Sequence, residues 1–327
     1  MILVTGGAGY IGSHAVKLLM ENGCQVVTYD SMELGHPQAV VSGTIIQGDL
    51  LDRDRLDSTF GEFPIDAVMH FAAYASVPDS VANPDKYFGN NITGGLNLLN
   101  AMRRHGVGKM IFSSSAATYG EPLHIPIEES HPQSPKNPYG ESKLMFEKIL
   151  KWYGVAYGMK SVSLRYFNAA GADPEGQIGE DHDPEQHLIP IVLQTALGQR
   201  ESVKVFGTDW DTPDRTCIRD YIHVTDLADA HILAFRALEN GAQTAAYNLG
   251  NGDGHSVKQV IEAAEQVVGR KIPWEPAPRR PGDPARLVAS SEKIKKELGW
   301  KPRYPELHTI IEHAWRWHSE HPNGYGT

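Results

Sequence analysis

Ile2-Leu3-Val4-Thr5-Gly6-Gly7-Ala8-Gly9-Tyr10-Ile11-Gly12 opens the chain, and this stretch decides the predicted fold. Its apolar first half predicts a β-strand, and its glycines fall where a strand turns sharply into a helix. Residues 13–22 continue as a predicted helix, and residues 25–29 form a second apolar strand. A strand, glycine turn, helix and strand in this order predict the beginning of a nucleotide-binding sheet.

The three glycines and an acidic residue after the second strand indicate which nucleotide binds. Gly6 provides the tight turn, Gly9 lets the backbone approach a pyrophosphate, and Gly12 lets the helix pack closely. Asp30 follows the second strand, where a carboxylate accepts hydrogen bonds from an adenosine ribose and repels a 2′-phosphate. The sequence therefore predicts NAD rather than NADP; the alternative is a surface turn beside a solvated aspartate.

The composition is that of an ordinary globular protein, with 41% hydrophobic and 21% charged residues among 327. No stretch approaches the ~20 apolar residues of a membrane span, and the first strand begins at Ile2, so we expect no cleaved leader and a cytoplasmic location. The net charge of -10 argues against a nucleic-acid surface, and an anionic ligand therefore requires local arginines. Cys24 and Cys217 lack metal-ligand spacing, so we expect neither a disulfide framework nor a metal site.

Predicted strands and helices alternate along the first half of the chain. Further strands are predicted over residues 44–49, 65–70 and 109–112, with helices over 53–60 and 85–105. This alternation predicts an α/β, Rossmann-like, doubly wound parallel sheet with ligands at the strand carboxyl ends. After residue 168 the pattern breaks into a long loop, which predicts a smaller, interleaved C-terminal substrate domain. We expect an NAD-binding domain over 1–168, with 218–250 partly returning to it, and a second domain over 169–327.

Candidate chemical groups stand at the ends of these predicted strands. Asp49 either contacts the adenine or caps the following helix. The three serines Ser113–Ser115 end the fifth strand, although loop residues or helix caps are the alternative. Tyr139 and Lys143 lie four residues apart, on one face of a predicted helix. An ammonium near a phenol, and a bound nicotinamide cation, should lower the tyrosine pKa from about 10 and make Tyr139 a usable base.

Five motifs are spread over nearly the whole chain: Thr5-Gly6-Gly7-Ala8-Gly9-Tyr10-Ile11-Gly12-Ser13-His14, Ser113-Ser114-Ser115-Ala116, Pro138-Tyr139-Gly140-Glu141-Ser142-Lys143, Arg165-Tyr166-Phe167-Asn168-Ala169-Ala170-Gly171-Ala172 and Arg219-Asp220-Tyr221-Ile222-His223-Val224. On these motifs the chain resembles the extended short-chain dehydrogenase/reductase family. The last two motifs resemble its UDP-sugar 4-epimerases in particular. The resemblance implies NAD-dependent interconversion of UDP-galactose and UDP-glucose through oxidation at C4, rotation of a 4-keto intermediate and re-reduction.

The resemblance also implies roles for individual residues. Tyr139 would be the acid and base at the sugar C4 hydroxyl, Ser115 would hydrogen-bond that oxygen, and Lys143 would hold the nicotinamide ribose. Contacts with NAD are implied for Gly6, Gly9, Tyr10, Ile11, Gly12, Asp30, Asp49, Leu50, Phe71, Ala72, Asn90, Tyr139, Lys143 and Tyr166. Contacts with the UDP-sugar are implied for Ser115, Tyr139, Asn168, His187, Leu188, Lys204, Phe206, Arg219, Arg280, Asp283 and Leu287.

Some positions depart from the family pattern or limit the activity. Ala75 stands where several members carry a lysine facing the cofactor. Ala116 and Ala117 replace an acidic pair that related dehydratases need, which disfavours dehydration; decarboxylation is disfavoured too. His187 stands where some members have an asparagine, and a plain surface role is its alternative. Leu287 is intermediate between the bulky and small residues that exclude or admit N-acetyl sugars.

The last inferences concern partners and rival functions. The helix over residues 139–157 is more apolar than one buried face requires, so we expect a homodimer through this helix and the one over 85–105. Full burial inside one chain is the alternative. The rival functions are an epimerase for UDP-N-acetylhexosamines or UDP-pentoses, and a non-catalytic NAD-binding regulator. A regulator has no need for the poised base that Ser115, Tyr139 and Lys143 would form.

Overall fold

The computed structural model describes residues 1–280 and 282–326; Pro281, in the proline-rich stretch beside Arg280, and Thr327 lie outside the described residues. Elements alternate through the first half of the chain. In order they are β1 (Ile2–Thr5), α1 (Tyr10–Glu21), β2 (Val26–Asp30), β3 (Thr44–Gln47), α2 (Arg53–Glu62), β4 (Ala67–His70), α3 (Val77–Ala82), α4 (Pro84–Tyr87), α5 (Gly95–Arg104), β5 (Lys109–Ser115), α6 (Pro138–Tyr157) and β6 (Lys160–Tyr166). Short 3₁₀ turns span Pro37–Ala39 and Ala116–Thr118.

The second half of the chain has shorter strands and longer loops. Its elements are β7 (Asn168–Ala170), α7 (Leu188–Ala196), β8 (Val203–Phe206), β9 (Ile218–Arg219), β10 (Tyr221–His223), α8 (Val224–Glu239), β11 (Ala245–Leu249), β12 (His255–Ser256), α9 (Val257–Val268), β13 (Trp274–Ala277), β14 (Arg286–Leu287), α10 (Glu292–Leu298) and α11 (Leu307–Glu320).

The chain forms two compact units. The first contains residues 1–120, 132–165 and 228–247, and the second contains residues 121–131, 166–227 and 248–327. The chain therefore passes between the units several times. The predicted assignment of one domain to NAD and the other to the UDP-sugar stays a proposal.

A seven-stranded sheet, in the order β11-β6-β5-β4-β1-β2-β3, organises the first unit. β1 runs parallel to both neighbours, so that Thr5 pairs with Tyr29 on β2 and with His70 on β4. Apolar strand residues pack with residues of α2, α5 and α6 in one core, which accounts for the continuously apolar strands. The strand order reverses at β1 and β4, as in a doubly wound sheet. The predicted Rossmann-like α/β fold is confirmed.

The second unit has its own core, built from α7, α9 and α11 with short strand pairs around them. β8 pairs with β13, and β9 pairs with β12 and β14. α9 begins at a capping box, in which the Ser256 hydroxyl accepts the backbone N–H of Gln259 and the Gln259 side chain returns to the Ser256 N–H. The helix ends at Gly269 in the left-handed conformation, where a side chain would be strained.

The helix predicted over residues 85–105 is wrong as a single α-helix. The structure divides it into α4, a π-helical segment over Phe88–Gly94, and α5. A Cβ on Gly95 would lie 2.4 Å from the ring of Phe146, so α5 passes closer to α6 than a larger residue allows. Such π segments are frequent at functional sites. The fifth strand also extends beyond its predicted end at residue 112, through the three serines to Ser115.

One face of α6 is exposed, so the alternative that this helix is fully buried is wrong. Trp152 and Val155 are 67% and 71% exposed, and Met145 on the same helix is 36% exposed. Leu144, Phe146 and Leu150 are buried instead. Across residues 1–280 and 282–326, no helix combines the length and apolar character needed to cross a membrane.

Candidate active site

The turn between β1 and α1 has the shape of a phosphate site. Gly6 has a φ of +71°, and a Cβ there would lie 2.5 Å from the backbone nitrogen of Ala72. A Cβ on Gly12 would lie 2.1 Å from the carbonyl oxygen of Gly6, so larger residues at either position would force the turn open. Gly9 is the N-cap of α1, and no side chain caps this helix end. The turn therefore presents a helix N-terminus to an anion.

The carboxylate of Asp30 lies at the end of β2, in the position expected for a ribose contact. Its Oδ2 accepts the backbone N–H of Ala8 at 3.0 Å, and its Oδ1 accepts that of Met32 at 2.9 Å. Each carboxylate oxygen retains a second lone pair that can accept a ribose hydroxyl. The glycine turn and this carboxylate together fit NAD, and they disfavour the extra phosphate of NADP.

Asp49 does not cap the helix that follows it, so that alternative is wrong. The N-cap of α2 is Asp52, whose side chain accepts the backbone N–H of Arg55 at 3.0 Å. The Oδ1 of Asp49 instead accepts the backbone N–H of Leu51 at 2.8 Å, and the residue is exposed. Contact between Asp49 and the adenine remains a prediction.

The remaining predicted cofactor residues lie near strand ends or on the π segment. Tyr10 and Ile11 begin α1, Leu50 follows β3, Phe71 and Ala72 follow β4, Asn90 lies in the π segment, and Tyr166 ends β6 in the second unit. The Asn90 amide donates to Asn91 Oδ1 at 2.9 Å, and Asn91 binds both backbone groups of Tyr74. This pairing fixes the backbone after β4. The contacts of these residues with NAD stay predictions.

Ser115 and Tyr139 meet where the end of β5 lies beside the start of α6. The Oγ of Ser115 accepts the backbone N–H of Ala117 at 3.1 Å, and the same hydroxyl forms a hydrogen bond with the Tyr139 phenol. Ser115 thus caps the 3₁₀ turn Ala116–Thr118 and also orients the phenol. Tyr139 is 9% exposed. The phenol hydroxyl is the titratable group of this side chain, and it lies next to the Ser115 hydroxyl.

Lys143 lies one helical turn after Tyr139. Its Nζ donates to the carbonyl oxygen of Ser113 at 2.7 Å and lies 5.8 Å from the centroid of the Tyr139 ring. The same ammonium lies 5.0 Å from the centroid of the Phe112 ring. The structure therefore brings Ser115, Tyr139 and Lys143 together within the first unit.

Burial dominates the electrostatics of this group. It raises the pKa of Tyr139 above its usual value, and the hydrogen bond from Ser115 opposes this shift only in part. It lowers the pKa of Lys143 to about 7, against the attraction of Glu147. The predicted lowering of the Tyr139 pKa by Lys143 is therefore wrong for the protein chain alone. The burial that brings the two groups together penalises both charged forms.

The shifted pKa of Lys143 predicts how stability changes with pH. The unfolded chain holds the lysine proton up to about pH 10.5, whereas the folded chain releases it near pH 7. Between these values the unfolded chain binds more protons, so raising the pH should favour folding. We expect the free energy of unfolding of the nucleotide-stripped protein to rise relative to Lys143→Met over this range, measured by urea denaturation. A difference that is constant from pH 7 to 10 would contradict the shift.

Glu147, whose side chain is 10% exposed, also belongs to the site but was not predicted from the sequence. Its Oε1 accepts Ser114 Oγ at 2.6 Å and Arg165 Nε at 2.9 Å, and its Oε2 accepts Arg165 Nη2 at 2.6 Å. Arg165 also donates to the Tyr119 hydroxyl at 2.8 Å. Two features of the sequence could have indicated Glu147. It lies four residues after Lys143, and the arginine of the Arg165 motif needs a carboxylate partner if it is buried.

The second unit contains the predicted UDP-sugar residues other than Ser115 and Tyr139, and several of these are paired. Arg219 donates to the carbonyl oxygen of Pro284 at 2.9 Å and lies 3.6 Å from the Asp283 carboxylate. The Arg280 guanidinium stacks on Phe206, 3.9 Å from the ring centroid. The ammonium of Lys204 contacts the Glu275 carboxylate. Arg280 therefore brings a positive charge to this region, whereas Arg219 and Lys204 each lie beside a carboxylate.

The other predicted substrate residues lie on neighbouring elements of this unit. Asn168 begins β7, Leu188 begins α7, and Leu287 pairs with Arg219 in the β9–β14 register. Asp220, next to Arg219, is fully buried and accepts the backbone N–H groups of Asn251, Gly252 and Ala289 at 2.8 to 3.0 Å. Part of the Arg219 motif therefore fixes loops rather than binding a ligand.

His187 belongs to a cluster with Glu180, His182 and Glu185. Its Nδ1 lies 2.7 Å from Glu180 Oε1 and 3.2 Å from Glu185 Oε1. Burial lowers the pKa of His182, but the carboxylates outweigh it and raise that pKa to about 9. The sequence analysis missed this cluster, although the spacing Glu-x-His-x-x-Glu-x-His could have revealed it. The contact of His187 with substrate stays a prediction.

Comparisons with known proteins show which sequences and folds this chain resembles. The model of the NAD dependent epimerase/dehydratase family matches residues 2–250. The chain is 58% identical over 326 residues to the UDP-glucose 4-epimerase of Halalkalibacterium halodurans, covering 100% of this chain and 98% of that protein. The UDP-glucose 4-epimerase of Brucella ovis with NAD has a TM-score of 0.94 at 47% identity, covering 96% and 97% of the two chains. That of Bifidobacterium longum with NAD+ and UDP has a TM-score of 0.94 at 40% identity, covering 99% of each.

Proposed function

This chain belongs to the NAD dependent epimerase/dehydratase family, and on that premise we propose that it interconverts UDP-galactose and UDP-glucose by inverting C4. It is an isomerase, and its cofactor is NAD. The observation that carries the proposal is the hydrogen bond between Ser115 and Tyr139, with Lys143 beside them on an NAD-type sheet. Ala116 and Ala117 occupy the positions where a dehydratase needs an acid and a base.

The residues of the first unit perform the proton transfer. NAD, held by the glycine turn and Asp30, would supply the hydride acceptor and, once reduced, the hydride donor at C4, with a 4-keto sugar between the two transfers. Tyr139 removes the proton of the C4 hydroxyl and later returns it, because its phenol is the buried titratable group beside Ser115. Ser115 hydrogen-bonds the reacting oxygen and lies beside the phenol. Lys143 binds the nicotinamide ribose, and its positive charge favours the phenolate when the cofactor is present.

The residues of the second unit hold the nucleotide end of the substrate. Arg219 and Arg280 bind the diphosphate, since guanidinium donors match phosphate oxygens in pairs. Lys204 and Phe206 contact the uracil, and Asp283 accepts the ribose hydroxyls. These contacts hold the UDP firmly, whereas the hexose has few fixed contacts. The 4-keto sugar can therefore rotate and present its other face. Asn168, His187, Leu188 and Leu287 line the diphosphate and sugar.

Proton NMR of the purified protein with UDP-galactose and no added cofactor tests this proposal. We expect conversion to UDP-glucose, because retained NAD makes the reaction independent of added cofactor. Parallel samples with UDP-N-acetylgalactosamine and UDP-xylose measure the substrate range that Leu287 permits. Failure to convert UDP-galactose, even after NAD+ is added, would overturn the proposed function.

We also propose a homodimer through α5 and α6. Met145, Trp152 and Val155 are spaced seven and three residues apart, so they share one face of α6, and all three are exposed. α5 lies alongside, with Tyr153 bonded to Asn100 at 3.2 Å. A second copy of this chain is the occupant that would cover the same apolar face on both protomers.

Trp152→Glu should dissociate this dimer. Loss of a central tryptophan costs about 2 kcal/mol or more, which raises the dissociation constant about 30-fold, and a carboxylate at the interface adds to the penalty. We expect light scattering to give the dimer mass for the native protein and a mass near 36.0 kDa for the variant. Trp274→Glu, at an exposed tryptophan of the second unit, is the matched control. Equal masses for all three proteins would rule out this interface.

The substrate pair leads to two broader proposals. Interconversion of UDP-galactose with UDP-glucose places the enzyme in galactose metabolism. We propose that it works in the cytoplasm, and cell fractionation with an antibody to the protein tests this location.

A further inference from the structure

Four side chains in the loop before α7 form a compact group of two histidines and two glutamates. They are Glu180, His182, Glu185 and His187, and one donor atom from each lies within 4.8 Å of the others. None of the proposed catalytic residues of the first unit belongs to this group, whereas His187 is shared with the residues proposed to line the diphosphate and sugar. Imidazole nitrogen and carboxylate oxygen are the donors that Zn²⁺ and related divalent transition metals accept.

The four distances between imidazole nitrogens and carboxylate oxygens in this group are close to those of a tetrahedral metal site. The Nδ1 of His182 lies 3.2 Å from Glu180 Oε1 and 3.6 Å from Glu185 Oε2, and the Nδ1 of His187 lies 2.7 Å and 3.2 Å from oxygens of the same two glutamates. Bonds of about 2.0–2.1 Å in a tetrahedron place neighbouring ligand atoms about 3.3–3.4 Å apart. One ion therefore fits with only small adjustments of the side chains.

A buried carboxylate oxygen gives an independent indication of a ligand. Glu180 is 4% exposed, and its Oε1 is buried and accepts no aligned hydrogen bond within the described residues. The Nδ1 of His187 is aligned with Glu185 Oε1 instead, at 3.2 Å. Its close contacts to the Nδ1 atoms of His182 and His187 are not aligned as hydrogen bonds, and a cation bound between these atoms would satisfy all three.

Backbone hydrogen bonds already fix the orientation of the second glutamate, Glu185. The Oε1 of Glu185 accepts the backbone N–H groups of Gln186 at 2.7 Å and His187 at 2.8 Å. Such outer hydrogen bonds orient metal ligands and raise site affinity. Two carboxylates also balance the charge of a divalent ion bound by two neutral imidazoles.

We propose that Glu180, His182, Glu185 and His187 bind one divalent transition-metal ion, with Zn²⁺ as the favoured occupant. The ion is structural, since all four ligands come from the protein and close the coordination sphere. It ties the loop over residues 180–187 to the N-terminus of α7. Imidazole ligands select against Ca²⁺ and Mg²⁺, which take oxygen ligands.

The test uses full-length protein without a polyhistidine tag. After chelator treatment and desalting, the protein is titrated with Co²⁺ and Zn²⁺. We expect one equivalent of Co²⁺ per chain, with the visible absorption of tetrahedral Co²⁺, displaced by one equivalent of Zn²⁺. Elemental analysis of untreated protein provides the native occupant. Absence of saturable binding, or a spectrum of purely octahedral Co²⁺, would overturn the proposal and leave a cluster of ion pairs.

Variants show whether these residues are the ligands. We expect His182→Gln and Glu180→Gln each to weaken Zn²⁺ binding at least tenfold, because even the loss of an outer-shell partner costs that much. His308→Gln, at an exposed histidine of α11, is the matched control. Added Zn²⁺ should raise the Tm of native protein and the control, and raise that of His182→Gln far less. Native affinity in both ligand variants would place the ion elsewhere.

Discussion

Tyr139→Phe is expected to lower the rate of epimerisation by roughly 10²–10⁴-fold while leaving the affinity for UDP-sugar nearly unchanged. The substitution keeps the ring that packs at the start of α6 and removes only the oxygen that takes the Ser115 hydrogen bond. Without that oxygen no group is positioned to carry the C4 proton. Turnover by proton NMR and binding of UDP by calorimetry measure the two quantities separately.

Tyr153→Phe is the matched control for this experiment. Tyr153 lies on the same helix and donates to Asn100 Oδ1 at 3.2 Å, away from the catalytic group. We expect its turnover to stay near that of the native protein. If Tyr139→Phe also kept near-native turnover, Tyr139 would not be the acid and base.

Glu147→Gln is expected to lower the free energy of unfolding by about 3–5 kcal/mol. The Glu147 and Arg165 side chains are 10% and 8% exposed, so the substitution leaves a guanidinium buried without its counter-charge. Because Gln retains the shape of the side chain, the loss of stability would come from the lost charge and not from a cavity. We expect the Tm to fall by about 4–7 °C, measured by thermal unfolding followed by circular dichroism.

A surface ion pair provides the comparison for Glu147. Glu292 contacts Lys295 at 3.0 Å, but its side chain is 79% exposed, so Glu292→Gln should cost at most about 0.5 kcal/mol. The double variant Glu147→Gln with Arg165→Gln should lose less stability than the two single changes added together, because no buried charge is left unpaired. Equal losses in Glu147→Gln and Glu292→Gln would show that burial does not strengthen this pair.

Most strands and helices of the first unit could be predicted from the sequence because each is specified by residues that are close together in the chain. The glycine turn requires φ values and close approaches that only glycine allows, and the apolar runs and capping residues mark strand and helix ends. The π segment in residues 88–94 did not follow. The segment leads directly into Gly95, which packs against the Phe146 ring of α6, a contact between residues distant in the sequence.

For the candidate site too, the sequence predicted features that depend on nearby residues but not those that depend on tertiary packing. The spacing of Tyr139 and Lys143 placed them on one helix face, but the direction of the tyrosine pKa depended on burial, which spacing does not reveal. Glu147 was not predicted because it lies on α6 and its partner Arg165 lies on β6, and only the folded chain brings the two together. The group of Glu180, His182, Glu185 and His187 has a readable spacing, but a loop can bring such residues together or leave them apart.

The sequence by itself determined the Rossmann-like sheet, the preference for NAD, and the helix that carries Tyr139 and Lys143. It did so because strand and helix periodicity, glycine conformations and an acid at a strand end are properties of short segments. Only the tertiary structure decided which charges are buried and paired. Desolvation and charge pairing depend on atoms brought together from distant parts of the chain, as Glu147 with Arg165 and the exposed face of Trp152 demonstrate.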